Sequence, residues 1–173
     1  MPTMKAKTLS FSRILLWLFL IASTAHAASL LGEDTDHNGI RDDVDRWIAT
    51  HARHPIERAL YEQAARTLQR QVALYGRVGD HAQKLIAFKK KYLDAYTACE
   101  FYWTYESPES LYRIPQGEGY FTEKLEKIQF NTPQRRKAFD TLERILEQRS
   151  CPLVEPDKDR CDFQADKVMK SAK

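Results

Sequence analysis

The chain has 173 residues, with 27 Lys and Arg against 24 Asp and Glu and a formal net charge of +3. That length bounds it to about one compact domain, large enough to bury a core without several crosslinks. The positive surplus sits in residues 1–27, which carry three basic residues and no acidic one, so residues 28–173 hold 24 of each sign and lack the excess charge that binding a phosphate backbone requires.

Lys5, Lys7 and Arg13 precede a nine-residue apolar run from Ile14 to Ala22, and the small-residue box Ala25-His26-Ala27 follows it. This is the layout of a cleaved signal peptide over residues 1–27, which predicts a mature chain of 146 residues beginning at Ala28. Nine apolar residues fall short of the ~20 that span a bilayer. The expected location is periplasmic or secreted.

Residues 34–45 read DTDHNGIRDDVD. A calcium loop of the EF-hand type takes oxygen ligands from its positions 1, 3, 5, 7, 9 and 12 and a Gly at 6, where the backbone turns sharply. Asp34, Asp36, Asn38, the Ile40 carbonyl, Asp42 and Asp45 fill those places, and Gly39 is the turn. Calcium is the cofactor this implies. Asp45 replaces the usual Glu at position 12, a carboxylate one methylene shorter, and Arg41 stands where paired hands place an apolar contact residue. The pattern predicts a solitary half-hand of reduced affinity whose ion fixes the start of the exiting helix, with no helix pair to open as a switch.

Downstream, Gly and Pro are sparse and the apolar residues recur at the helical period, which predicts an all-α fold: a compact helical domain behind the loop. A short helix is expected from Asp42 to about Ala52, with Trp47 and Ile48 inward. The next runs from about Pro55 to Tyr75, striped by Ile56, Leu60, Ala64, Leu68 and Val72 and ended by Gly76. Asp80, with Gln83 completing a capping box, opens a third helix whose apolar face is Leu85, Phe88, Tyr92, Tyr96, Cys99 and Trp103 and which is expected to be the central one. A Pro- and Gly-bearing loop follows from Glu106 to Gly119, then a short helix from about Phe121 to Ile128. Thr132 and Pro133 open the last clear helix, with Phe139, Leu142, Ile145 and Leu146 inward. Beyond Cys161 a polar tail is expected. The basic runs Lys89-Lys90-Lys91 and Arg135-Arg136-Lys137 read as solvated helix faces.

Three Cys in an exported chain predict one disulfide and one leftover thiol. Chain entropy gives about 4 kcal/mol for joining Cys99 to Cys161 and about 3 for Cys151 to Cys161, too close to choose. Seven aromatics crowd residues 101–121. They suit the core of a central helix, and any exposed remainder forms a partner surface, for which Trp103, Tyr105 and Tyr112 are the candidates. His51 and His54 have a metal-compatible spacing but no third ligand nearby. The motifs HExxH, GxSxG, GxGxxG and the P-loop are absent from the sequence.

The loop resembles those of dockerins and thrombospondin type 3 repeats, where Asp at position 12 is normal. NGIRDDVDRWI, NTPQRR and the CDF containing Cys161 resemble a group of small exported proteobacterial proteins of unassigned function, in which a DxDxNGxRDDV loop leads into a helical domain. That resemblance implies the fold, export and a Cys99–Cys161 pair, and it implies no activity. The expected function is a monomeric, non-enzymatic, calcium-stabilised module of the cell envelope that binds a protein or a cell-wall-derived ligand, one concrete form being an immunity or inhibitor protein. The alternative is an envelope hydrolase with an unrecognised acid/base site.

Overall fold

The computed structural model describes residues 30–107 and 123–171. Among these residues every regular element is helical, as the apolar spacing predicts. After the loop come α1 (Asp42–His51), α2 (Pro55–Val78) and α3 (Ala82–Phe88). A π turn (Lys89–Leu93) leads into α4 (Asp94–Phe101) and a second π turn (Tyr102–Glu106). Then follow α5 (Glu123–Gln129), α6 (Pro133–Glu147), a 3-10 turn (Lys158–Arg160) and α7 (Ala165–Ser171). Residues 1–27, expected as a signal peptide, together with Tyr112, Tyr120, Phe121 and the rest of the stretch from 108 expected as a loop, lie outside the described residues.

The long helix α2 is the organising element. Its stripe Ile56, Leu60, Ala64, Leu68 and Val72 is buried throughout, and α1, α3, α4, α5, α6 and α7 all pack against it. The expectation that the third helix is central is therefore corrected. That third helix runs on from α3 to Glu106 without leaving the αR region at Lys89, Asp94 or Tyr102, but its hydrogen bonding shifts twice to the π pattern. A π turn adds a residue to the helical repeat, but Phe88, Tyr92 and Tyr96 stay four apart across the first one, a spacing an α-helical stripe also allows, so the apolar pattern did not reveal it.

The helix starts follow local chemistry. Pro55 opens α2, whose first turn is capped when His54 Nδ1 accepts from the Ile56 N–H at 3.2 Å. Thr132 Oγ1 accepts from the Arg135 N–H at 3.3 Å ahead of Pro133. Two expected boundaries move. Gly76 does not end α2: a Cβ there would stand 2.9 Å from Leu30 Cδ2, so its small size admits the incoming N-terminal segment, and Gly79 at φ +57° makes the cap. Asp80 is not the cap of α3 either; His81 holds that place without a side-chain bond.

The main core lies where Ile40, Val44 and Ile48 meet α2 with Leu125, Phe130 and Ala138. Trp47, half-buried, stacks on His51 at 4.4 Å and meets Tyr61 edge-on at 5.3 Å. His51 and His54 are thus a stacking partner and a helix cap. A second cluster joins Ile56, Leu60, Cys99 and Trp103, and Phe163, Val168 and Met169 pack onto it. The stretch after Cys161, expected as a polar tail, is therefore a short helix held by tertiary contact. Cys99 and Cys161 form the disulfide, with Cα atoms 5.0 Å apart, and Cys151 is free and exposed.

Candidate metal centre

The loop from Asp34 to Asp45 curls on itself through its own carboxylates. Asp34 accepts from two backbone N–H groups, Asn38 to Oδ1 and Gly39 to Oδ2, each at 3.1 Å. Asp36 shares the Asn38 N–H at 3.2 Å. The Asn38 amide donates to Asp36 Oδ2 at 3.0 Å and reaches Asp45 Oδ2 at 3.5 Å, while its Oδ1 accepts from the Ile40 N–H at 2.7 Å. Asp34, Asp36 and Asp45, positions 1, 3 and 12 of the pattern, thus all bond to Asn38 at position 5, Asp34 through its backbone N–H, Asp45 through its side-chain amide and Asp36 through both.

Two residues carry the curl in the left-handed region, Gly39 at φ +81° and His37 at φ +58°. Gly adopts that conformation freely, whereas a side chain there costs about 1–2 kcal/mol. His37 is held in it by the carboxylate bonds on either side.

Asp42 and Ile40 sit differently from the other predicted ligands. Both Asp42 oxygens are engaged by Thr35, whose N–H and hydroxyl donate at 2.8 and 2.6 Å, and these bonds hold the carboxyl below its ordinary range. Asp42 thus latches the loop to Thr35. The Ile40 side chain is 1% exposed and belongs to the core, which leaves only its carbonyl for the loop. Among the described residues no three His, Cys, Asp or Glu side chains converge as a metal cage. A cation here would need the Asn38 oxygen and the Ile40 carbonyl beside Asp34, Asp36 and Asp45, the hard-oxygen donor set that calcium takes.

Arg41 fastens this loop to the helical body. It is 3% exposed, donates from Nη2 to the Ile128 carbonyl at 2.8 Å and from Nη1 to the Gln129 carbonyl at 3.1 Å, and pairs with Asp43. Those carbonyls close the C-terminal end of α5, where a cation is favoured. Burial pushes the Asp43 carboxyl up, but the Arg41 bonds and charge outweigh it and hold the group below its usual range. A Cβ on Gly32 would overlap Arg41 Cδ, and Gly32 has φ +77°. Arg135 adds a second fastening, from Nε to the Leu30 carbonyl at 2.7 Å. Sequence reading saw Arg41 only as a departure from paired hands; its role as an anchor depends on α5, some 90 residues away, and had no local signal.

Of the candidate partner residues, Trp103 is 9% exposed and packs in the second cluster, while Tyr105 is 68% exposed and meets Phe101 edge-on at 5.8 Å. Glu100, on the same helix, is 8% exposed and hydrogen-bonded by Tyr96, and burial pushes its carboxyl up to about 7. No helix among the described residues is long and apolar enough to cross a membrane. No family model, curated protein or solved structure matches the chain.

Proposed function

We propose that this protein is a calcium-stabilised helical binding module that works outside the cytoplasm, on a protein or a cell-wall-derived ligand, with an immunity or inhibitor protein as one concrete form. One observation carries the calcium part: Asp34, Asp36, Asn38 and Asp45 are gathered by a loop that takes a non-Gly residue into left-handed backbone to do so. Backbone strain of that kind collects where a ligand holds the chain. The Cys99–Cys161 disulfide and the leader-like residues 1–27 support an oxidising compartment. The ion's role is structural. Arg41 and Arg135 tie the loop to the body of the protein, so neutralising its carboxylates stabilises α1 against α5 rather than releasing a helix.

Thermal unfolding in calcium and in chelator tests this. Extracellular loops of this type bind at roughly 0.1–1 mM, so ~10 mM calcium stabilises the native state by about 1.4–2.7 kcal/mol. Equal melting curves in the two conditions, or a shift that survives in Asp34→Ala/Asp36→Ala, would refute the site. Magnesium, which demands a tighter octahedron, should give little shift.

The competing hydrolase reading draws on Glu100, a buried carboxyl with the raised pKa of a general acid. Glu100 lines neither the groove between Arg70 and Tyr92 nor the pocket beside Arg41 and Asp43. Cleavage of a wall-derived substrate by the wild type that disappears in Glu100→Gln would establish the enzyme instead.

A further inference from the structure

The π turn after α3 forms one wall of a groove of about 380 Å³ that faces α2. Four cations ring it: Arg70 and Arg77 from α2, Lys84 from α3 and Lys91 from the π turn, with no acidic residue in the lining. Leu74, Ala87 and Phe88 form its apolar floor. All four cations are exposed, and among the described residues no carboxylate pairs with any of them. The adjacent Lys89 shows the contrast, since its Nζ is 2.5 Å from Asp94 Oδ1. So does a smaller pocket of about 210 Å³ beside the loop, where Arg41, Arg46 and Arg135 face Glu33, Asp42 and Asp43. Residues 28–173 carry equal numbers of each charge, so four unmatched cations around one apolar floor are a local excess that an anion would complement.

We propose that this groove docks an acidic peptide segment bearing an aliphatic or phenyl side chain. The inference rests on the binding-module reading and deepens it by placing the partner surface. Arg70 and Arg77 lie seven residues apart on one wall, as do Lys84 and Lys91 on the other, and seven residues of helix rise about 10 Å. An extended chain advances roughly 3.3 Å per residue, so about three or four peptide residues span the cations, with carboxylates toward the walls and one apolar side chain on the floor. A volume of this order is at the small end of ligand sites and suits such a segment. A nucleobase would need an open aromatic face, but Arg70 and Lys91 already stand over the Tyr92 ring, 5.3 and 5.0 Å from its centroid. A bilayer would need protruding apolar anchors. The large exposed apolar side chains among the described residues, Tyr105 and Leu153, do not line the groove.

The test is fluorescence anisotropy on the full oxidised chain with a labelled Glu-Glu-Phe-Glu-Glu peptide at low salt, against its all-Gln counterpart, phosphatidylglycerol vesicles and a single-stranded oligonucleotide. Saturable binding of the acidic peptide alone is expected, weakening as salt rises. Arg77→Glu/Lys84→Glu should weaken it by at least about tenfold. Phe88 is buried, so the floor is probed instead by Ala87→Glu, which should weaken binding likewise. Equal binding of the Gln peptide, binding unchanged by the charge reversal, or binding of vesicles or oligonucleotide with none of the peptide would overturn the proposal. Calcium-dependent melting of the same variants, expected to match wild type, reports the loop separately. A lost calcium shift with intact peptide binding refutes the metal reading alone, and an intact shift without peptide binding refutes the groove alone.

Discussion

Replacing Glu100 by Gln should make the protein more stable at pH 8, and the size of the effect follows from burial. The carboxyl is raised from its ordinary value of 4.5 to about 7, with desolvation as the largest cause; the Tyr96 hydrogen bond opposes it and the Glu126 charge adds to it. Between those two values the folded protein keeps the proton while the unfolded chain has lost it. The folded state therefore binds more protons, and stability falls as pH rises through that window, then levels off above about 7. One pKa unit is about 1.4 kcal/mol, so the full loss is roughly 3 kcal/mol. Gln keeps the shape and a partner for Tyr96 but has no charge to bury. The variant should match wild type near pH 4.5 and melt roughly 10 °C higher at pH 8. Glu126 and Glu143 are also raised, chiefly by burial, and leave the variant a residual slope of the same sign. Urea unfolding of both proteins across pH 4.5–8 measures the difference directly. A wild-type curve flat across that range, together with a variant less stable at pH 8, would show that Glu100 is charged and well partnered in the folded state.

Further tests bear on the anchor, the crosslink and the aromatics. Arg41→Ala leaves Asp43 and two α5 carbonyls without their partner and should cost about 3 kcal/mol in chemical denaturation, with Arg41→Lys failing to restore it because one ammonium cannot replace the forked guanidinium. Removing the disulfide as Cys99→Ala/Cys161→Ala, whose sulfurs close a 62-residue separation, should cost about 4 kcal/mol, and peptide mapping without reduction should find that pair alone. Cys151, exposed and free, should be the thiol that alkylates in the native protein. Trp103→Ala should cost about 3–5 kcal/mol, whereas Tyr105→Ala should leave the melting temperature nearly unchanged.

The helical class and the faces of α2 and α6 were legible because apolar residues at spacing 3–4 leave few alternatives to a buried stripe. Boundaries were less so. Two glycines, Gly76 and Gly79, competed for one helix end; Gly79 takes it at φ +57°, while Gly76 stays helical beside Leu30, a contact across 46 positions that no local rule supplies. The α7 segment read as a tail because a seven-residue helix has almost no stability of its own; it forms because Phe163, Val168 and Met169 find the cluster around Cys99. In the loop, residue order singled out Asp34, Asp36, Asn38 and Asp45, which hydrogen-bond around Asn38, yet it did not reveal that Asp42 would be taken by Thr35. The groove was visible only in retrospect: Arg70, Arg77, Lys84 and Lys91 recur every seven residues, but that period acquires meaning only when α2 and α3 face each other.

The bonds from Arg41 to Ile128 and Gln129, and from Arg135 to Leu30, join positions 87 to 105 apart in the chain. Contacts of such separation form late, since a long stretch must be closed before they yield anything. During synthesis the first helices therefore emerge without their fastening and wait until α5 and the start of α6 have been made. The Cys99–Cys161 link falls under the same schedule, as its second sulfur is made 62 positions after the first. The segment around Leu30 and Arg41 is thus made long before residues 128–135, which hold it in place.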